Sequence, residues 1–367
     1  MADSYQTELR QVTLEQIRSE LRAMWTSEGV NNDGVIRARS HNLVVHTNGD
    51  SADVDNTIQR IVEVSGARPG RVILIQADPD AEDSVDAWVT LYCQLQNHQQ
   101  ICGEMIVLSV GGRLREEIHS TVISLLAPDV PVYLWWMQCP DADDHLYMML
   151  SAEADRVLVD SDRFEAPDNL VKIAGQNDLP IGDLAWARLT PWRQQMAHLW
   201  DLPELRDSLN HLRTLDVIYV APGDFANANR ALLLIGWLAD RLSWELVEAQ
   251  RGPTGGYTSH WKKASWEGKA EIVESAYEGL PPGELMGIYM QAGEAPPFVM
   301  PRLEYVVERG CIDVRLDDAS PLARRRGVHF TSMTEAQALV EELDQRYDPI
   351  YKLALTRAAD IVKAADR

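Results

Sequence analysis

The sequence has few cysteines and no long apolar run. Its 367 residues contain no stretch near the ~20 apolar residues that a membrane helix requires. The first residues are acidic and polar, so we expect no secretory signal. The cysteines, Cys93, Cys102, Cys139 and Cys311, form no C-x-x-C pair, which argues against a zinc ribbon or a redox dithiol. We therefore expect free thiols, a cytoplasmic location and no membrane partner.

Positive charge is also scarce. Lys and Arg number 34 against 56 Asp and Glu, which gives a formal net charge of −22. Such a chain repels phosphate backbones, so nucleic acid is not expected as a partner. Hydrophobic content of 46% and charged content of 25% are typical of a folded globular protein. The unusual feature is tryptophan, with 11 Trp against 4 Phe.

Familiar catalytic motifs are missing. The sequence contains no G-x-S-x-G, no P-loop and no G-x-G-x-x-G, the motifs that carry a nucleophile or cradle phosphates. His41 and His46 lie five residues apart beside a predicted strand, which is the wrong spacing for one metal-binding helix face. We therefore predict no catalytic residue, no cofactor and no metal, and a protein that is not an enzyme.

Two short segments leave an anion site open. Gly111, Gly112 and Arg113 follow a predicted strand and open a predicted helix, where backbone N–H groups and Arg113 could hold an anion. The alternative is a tight turn in which glycine supplies a positive φ. The basic run 324–326 is either a salt-bridged loop or a docking point for an acidic partner or a phosphate.

Hydrophobic periodicity predicts the fold class. Alternating strands and helices in the first half favour an α/β N-terminal domain with a mixed sheet. After a Pro-Ile-Gly break at 180–182, a strand, a long helix and consecutive strands favour an α+β C-terminal domain with an antiparallel meander. The predicted limits are 1–180 and 216–367, with a Trp/Arg-rich connecting segment at 181–215. The predicted helices are 11–28, 52–64, 113–126, 225–244, 334–346 and 350–365. The predicted strands are 43–47, 71–76, 87–95, 100–110, 130–137, 156–160, 217–220, 262–266, 270–276, 285–291, 302–308 and 311–315.

The segment 183–193 reads D-L-A-W-A-R-L-T-P-W-R. Thr190 and Pro191 predict a helix start, because a Thr hydroxyl can cap free backbone N–H groups and Pro is tolerated in the first turn. Trp and Arg often anchor protein interfaces, whereas buried aromatic residues are ordinary core. The candidates for partner binding or for a domain junction are Trp186, Arg188, Trp192 and Arg193.

This segment resembles the D-L-x-W-x-R-L-T-P-W-R pattern of the OpcA family, the glucose-6-phosphate dehydrogenase assembly proteins. Residues 128–136, 154–161 and 233–244 are similar to three further family segments, L-P-D-L-P-V-x-L-W-W, A-D-R-V-x-x-D-S and G-W-L-A-x-R-L-x-W. Residues 67–72 resemble its H-P-x-R-V turn, although Ala67 and Arg68 depart from the usual His. The resemblance spans roughly residues 40–330.

The resemblance implies a non-catalytic protein that binds glucose-6-phosphate dehydrogenase, aids its assembly and raises its activity. It would thereby favour the oxidative pentose phosphate pathway and NADPH supply. The alternative is a sugar-phosphate-binding enzyme or sensor that uses the anion site near Gly111, Gly112 and Arg113.

Overall fold

The computed structural model describes residues 4–27, 35–48, 58, 61–62, 68–96, 99–176, 179–221, 227–253, 255–316 and 325–367. Two compact units are built from alternating segments of the chain. The first comprises Met1–Asp160, Gln176–Leu184 and Thr334–Tyr347, and the second Ser161–Gly175, Ala185–Met333 and Asp348–Arg367. The domain limits that the sequence patterns indicate, at 180 and 215, stay a prediction. The predicted helix 52–64 lies almost wholly outside the described residues.

Each unit contains one mixed sheet. The strands of the first unit are β1 (Ser4–Gln6), β2 (Arg10–Val12), β3 (Val35–Arg37), β4 (Asn42–Asn48), β5 (Arg71–Asp78), β6 (Ser84–Gln96), β7 (Gln99–Gly111), β8 (Val132–Trp136), β9 (Arg156–Val159) and β10 (Ile181–Asp183). The strands of the second unit are β11 (Leu212–Val220), β12 (Glu245–Arg251), β13 (Tyr257–Lys263), β14 (Trp266–Ser275), β15 (Leu285–Ala292), β16 (Arg302–Val306), β17 (Cys311–Arg315) and β18 (Arg325–His329).

The helices of the described residues are numbered in chain order. They are α1 (Ile17–Ser27), α2 (Leu114–Leu125), α3 (His145–Ala152), α4 (Asp168–Ala174), α5 (Leu184–Arg188), α6 (Thr190–Trp200), α7 (Pro203–Leu209), α8 (Asn229–Arg241), α9 (Glu335–Leu343) and α10 (Pro349–Ala365). Short 3-10 helices cover Leu14–Gln16, Ser161–Arg163 and Val307–Arg309. No described helix is both long and apolar enough to cross a membrane.

In the first unit, a parallel sheet carries an antiparallel extension. Strands β7, β5, β4, β8, β9 and β10 are neighbours in that order and run parallel. Ranked by position in the chain, this is the order 3-2-1-4-5-6 of doubly wound sheets. Strand β5 reads as a nearly continuous apolar run, and Val72–Leu74 are wholly buried, as expected for a strand covered on both faces. Strands β6 and β1 extend the sheet antiparallel beyond β7.

The second sheet has the order β12-β13-β14-β11-β15-β16-β17-β18. Strand β11 lies in its centre, parallel to β14 and antiparallel to β15. The predicted antiparallel meander is therefore interrupted by the first strand of the unit. Leu215, Val217 and Tyr219 of β11 are wholly buried, as expected for a central strand with a neighbouring strand on each edge.

Two sequence-based elements have the wrong extent. The predicted strand 262–266 spans the turn between β13 and β14, where Ala264 has φ of 53°. A non-glycine residue with positive φ carries no turn signal in the sequence. The predicted helix 11–28 begins only at Ile17, because β2 and a 3-10 turn precede it.

The expectation that all cysteines are free thiols is also wrong. Cys93 of β6 and Cys102 of β7 form a disulfide, with their Cα atoms 4.1 Å apart. They face each other across the antiparallel pair, a relation set by strand register and invisible to a search for C-x-x-C. Cys139 and Cys311 are free.

Gly236 lies where α8 packs against α10. A Cβ added there would meet the carbonyl oxygen of Ala354 at 2.3 Å and the backbone nitrogen of Ala358 at 2.9 Å. Neither backbone atom can give way without moving the helix, so α10 approaches this closely because residue 236 has no side chain.

We expect Gly236→Ala to lower the free energy of unfolding by about 1–3 kcal/mol, through overpacking. This reverses the gain of about 1 kcal/mol that Ala normally brings to a helix. Denaturant unfolding measures the change. Gly327→Ala, whose Cβ would be 3.9 Å from the Cys311 sulfur, is the matched control and should be close to neutral. Equal stability of Gly236→Ala and the wild type would contradict the close packing.

Candidate functional site

The Trp/Arg segment lies in the second unit, on α5 and α6. Trp186 and Trp192 are each only 1% exposed. The indole Nε1 of Trp186 donates to the Asp348 carboxylate at 2.7 Å, and its ring packs 5.9 Å from the Tyr351 ring. Asp348 also caps α10 by accepting from the backbone N–H of Ile350 and Tyr351. Trp186 thus joins α5 to the start of α10.

Arg193 covers the other side of Trp186. Its guanidinium carbon lies 3.6 Å from the centre of the Trp186 ring, a cation–π geometry. Its Nη2 donates to the Thr190 hydroxyl at 2.8 Å. Helix α6 begins at Thr190 as predicted, but the N-cap position belongs to Leu189 and has no side-chain cap. The predicted capping role of Thr190 is therefore wrong, because this residue is already the first of the helix.

Trp192 packs against another aromatic cluster of the same unit. Its ring meets Phe330 edge-on at 5.8 Å, and Phe330 meets Tyr305 edge-on at 4.7 Å. The contacts described for both tryptophans are core contacts of the second unit.

Arg188 belongs to a buried ionic network. Its Nη1 donates to Asp162 at 2.8 Å. Asp162 also accepts from Arg230 Nε at 2.9 Å and Nη2 at 2.5 Å, and Arg230 Nη1 donates to Glu284 at 2.9 Å. The Ser332 hydroxyl donates to the same Glu284 oxygen at 2.5 Å. Two arginines and two carboxylates from four distant parts of the chain therefore neutralise one another.

Arg230 is the more buried of the two arginines in this network, with 6% of its side chain exposed. Burial alone would lower its pKa, but Asp162 and Glu284 raise the pKa above its ordinary value. The sequence analysis missed Asp162, Arg230 and Glu284. The available signal was Arg230 itself, a charge within the buried face of an apolar helix.

The glycine turn binds an anion of its own chain. Gly112 has φ of 59°, so it supplies the positive φ of a tight turn. The Asp83 carboxylate accepts from the Arg113 backbone N–H at 2.8 Å and from its Nη2 at 2.8 Å. A Cβ at Gly112 would lie 2.3 Å from Asp83 Oδ1. A site for an external anion at Gly111, Gly112 and Arg113 stays a prediction, with Asp83 as the competitor for its donors.

Two of the three arginines in the basic run at 324–326 belong to the described residues. Arg324 lies outside the described residues. Arg325 Nη2 lies 2.8 Å from Asp313 Oδ2, and Arg326 Nη2 is 3.4 Å from Gln195 Oε1 on α6. Arg325 is thus part of a salt-bridged surface.

Two buried rings meet at the carboxyl ends of β4 and β8. Doubly wound sheets bind ligands where the strand order reverses, which is between these strands. His46 stacks on Trp136 at 3.6 Å and 5°, and its Nδ1 lies 3.2 Å from Gln138 Oε1. From the last residue of β4 the sequence reads Asn48-Gly49-Asp50-Ser51 instead of a G-x-G-x-x-G fingerprint. Burial, reinforced by the charge of Arg115, lowers the pKa of His46 to about 3.

The first sheet defines a doubly wound α/β protein that carries a second, mixed-sheet unit. A family model described as glucose-6-phosphate dehydrogenase subunit N-terminal domain matches residues 62–174, and one described as its C-terminal domain matches residues 179–355. The chain therefore belongs to the OpcA family.

Curated relatives agree with this assignment. An OxPP cycle protein OpcA of Synechocystis sp. is 30% identical over 233 residues, which are 61% of this chain and 48% of the relative. That of Nostoc punctiforme is 32% identical over 195 residues, 52% of this chain and 41% of the relative. The chain spans about half the length of the curated relatives it matches.

Solved structures resemble the chain at the level of the fold. A levoglucosan dehydrogenase in complex with NADH and L-sorbose aligns with a TM-score of 0.50 and 10% identity, over 89% of this chain and 96% of that one. An oxidoreductase from Sinorhizobium meliloti aligns with a TM-score of 0.49 and 10% identity, over 90% and 98%. At this identity the likeness concerns the fold alone.

The ionic network predicts a large cost for losing one carboxylate. Asp162→Asn leaves Arg188 and Arg230 without their shared anion, so we expect the free energy of unfolding to fall by about 3–5 kcal/mol. Asp240→Asn is the control, because Asp240 pairs with an Arg241 that is 45% exposed and should cost below about 1 kcal/mol. Chemical denaturation measures both. A loss below 1 kcal/mol in Asp162→Asn would show that the network is dispensable.

His46 predicts a pH dependence of stability. An unfolded His takes up a proton near pH 6.5, whereas folded His46 resists protonation until about pH 3. Its contribution is therefore complete above pH 6.5 and is lost as the pH falls towards 3, at up to about 1.4 kcal/mol per pH unit. Burial also lowers the pKa of His41 to about 4, so removing His46 should weaken this dependence without abolishing it.

The measurement is the free energy of unfolding at pH 7.5 and pH 5. Between these values His46→Gln should lose about 2 kcal/mol less than the wild type. The matched control is His198→Gln, at an exposed histidine. Parallel curves for His46→Gln and the wild type would rule out a buried neutral imidazole.

Proposed function

We propose that this protein is a non-catalytic partner of glucose-6-phosphate dehydrogenase, which aids assembly of the enzyme and raises its activity. The observation that carries the proposal is the pair of family matches, both described as domains of a glucose-6-phosphate dehydrogenase subunit. An increase in activity follows if the protein binds the assembled, active form of the enzyme more tightly than other forms, because a ligand shifts an equilibrium by its differential affinity. Oxidative pentose phosphate flux and NADPH supply would then rise.

The switch point of the first sheet supports a role without catalysis. Directly after β4 the sequence has one glycine, Gly49, and not the G-x-G-x-x-G set that lets a dinucleotide pyrophosphate approach the backbone. His46 and Trp136 are 1% and 2% exposed and stack on each other at that edge. Fold likeness to dehydrogenases therefore does not extend to the residues that a dinucleotide needs.

For the Trp/Arg segment we propose a supporting role in the second unit. Trp186 and Trp192 have almost no exposed surface with which to touch a partner. Arg188 is committed to Asp162, and Arg193 to Trp186 and Thr190. The segment would therefore act on the dehydrogenase by holding the second unit in its binding-competent fold.

The test combines purified protein with glucose-6-phosphate dehydrogenase from the same organism. We expect co-elution on gel filtration, a larger assembled fraction of the enzyme and a higher rate of NADP reduction. The protein alone should reduce no NADP. Intrinsic NADP reduction, or failure to co-elute and to activate, would contradict the proposal.

Trp192 separates the supporting role from a contact role. Trp192→Ala should cost about 3–5 kcal/mol of stability and lower the melting temperature of the isolated protein, while Trp192→Phe should cost less. If Trp192 has the supporting role, Trp192→Ala should lose activation of the dehydrogenase in proportion to its unfolded fraction. At temperatures below its melting transition the variant should activate the enzyme normally. A variant with normal melting temperature and weakened binding of the dehydrogenase would place Trp192 in the contact surface instead.

A further inference from the structure

Five arginines line one pocket of the first unit. Its volume is about 420 Å³. Arg18 and Arg22 come from α1, Arg37 from β3, Arg39 from the segment after it, and Arg71 from the start of β5. Among the described residues, the lining contains no acidic side chain. In a chain of net charge −22, such a concentration of guanidinium groups is unexpected.

The buried carboxylate of Glu104 accepts hydrogen bonds from part of this arginine cluster. Its side chain is 2% exposed and accepts from Arg71 Nε at 2.8 Å and Nη2 at 2.5 Å, from Trp25 Nε1 at 2.6 Å, and from Arg37. Burial tends to raise the pKa of Glu104, yet the charges of Arg71 and Arg37 keep this pKa below its usual value. Arg39 lies 3.9 Å from the same carboxylate. Glu104 is thus an anion shared by three arginines.

The C-terminal end of α2 compensates only a small part of the remaining positive charge. Arg71 Nη1 donates to the Leu125 carbonyl at 2.6 Å, and Arg18 donates to the Ser124 carbonyl. A helix C-terminus carries about half a negative charge. Among the described residues, Glu104 and this helix end compensate roughly one and a half of five positive charges, which leaves more than three unbalanced there.

The unbalanced charge is costly to the free protein. Arg18 and Arg22 lie four residues apart on one helix face, where like charges destabilise a helix. Burial, together with the charges of Arg37 and Arg71, lowers the pKa of Arg39. A structural salt-bridge cluster would match its cations with carboxylates, as the network around Asp162 does.

We propose that this arginine pocket binds a small molecule that carries two or more phosphate groups. Two phosphates near neutral pH supply roughly three to four negative charges, which matches the excess. The planar fork of Arg binds phosphate oxygens in pairs. The volume lies within the usual range for small-molecule sites. An acidic protein segment would need about four carboxylate residues, up to ~13 Å of extended chain, to deliver the same charge.

The experiment is calorimetric titration of the full chain with inorganic pyrophosphate, in buffer without divalent cations and at constant ionic strength. We expect saturable binding that inorganic phosphate competes for only weakly. Titration of the pyrophosphate-loaded protein with a nucleoside diphosphate and a sugar bisphosphate then distinguishes the two sources of such groups. No saturable heat, or the same response to matched sodium chloride, would overturn the proposal.

The test variant is the double substitution Arg22→Ala with Arg39→Ala. Both side chains are exposed. Arg39 lies 3.9 Å from Glu104, but Arg71 still holds that carboxylate in the variant, so the variant should fold normally, as its melting temperature checks. We expect pyrophosphate affinity to fall about tenfold or more, the loss of one to two charge-assisted hydrogen bonds. The matched control is Arg241→Ala, which removes a 45% exposed arginine of the second unit and should bind pyrophosphate as the wild type does.

Three further outcomes test the proposed ligand class. Unchanged pyrophosphate affinity in the double variant would overturn the proposal. So would a double variant that loses the dehydrogenase while the wild type binds no pyrophosphate, because the pocket would then be a contact for an acidic protein surface. Loss of pyrophosphate binding with normal dehydrogenase activation supports the pocket independently of the proposed function.

Discussion

The second unit depends on the salt bridge between Asp162 and Arg230. A buried guanidinium is costly unless acceptors take up its N–H groups and a carboxylate balances its charge, and Arg230 donates to Asp162 along one edge and to Glu284 from Nη1. Asp162 then also receives Arg188 from α5. The 3-10 turn, α5, α8 and the strand start at Glu284 must therefore converge on one point. Once α5 is held there, Trp186 is directed towards the cap of α10, and α6 follows with Trp192 in the aromatic core.

The two units use the same chemistry to different ends. Around Asp162, arginines and carboxylates are equal in number, so the charges cancel and the cluster has a structural role. The first unit repeats this balance at Arg156 and Glu342, both 1% exposed. Among the described residues around Glu104 the charges do not balance, since five arginines share one carboxylate and one helix end. Charge that no neighbour compensates requires either a ligand or solvent, and a concave pocket selects the ligand.

The fold was predictable where the signal is local. Continuous apolar runs identified β5 and β8, and helical periodicity identified α8 and α10 to within a few residues. The insertion of β11 between β14 and β15 was missed because it depends on residues far apart in the chain. The pairing of Cys93 with Cys102 was missed because it depends on the register of one hairpin, and β12 because this edge strand is mostly exposed and carries little apolar pattern. For the candidate site, composition and motif predicted Trp186, Arg188, Trp192 and Arg193, which stay candidates. Their partners Asp162, Glu284 and Asp348 could not be found, because nothing in one sequence indicates which carboxylate meets which arginine.

The position of the arginine pocket explains why it needs so much charge. Doubly wound sheets bind phosphates at the carboxyl ends of their strands, where helix N-termini supply positive dipole ends and free N–H groups. In this chain, stacked His46 and Trp136 lie at the edge where the strand order reverses. The arginines lie at the opposite edge, where Arg71 begins β5 and α2 ends at Leu125. A helix C-terminus repels an anion, so anion binding at that edge requires side-chain charge to replace the missing dipole. Arg18 and Arg71 donate hydrogen bonds to the carbonyls of Ser124 and Leu125. Their positive charges therefore offset the negative end of the helix dipole on this side of the pocket.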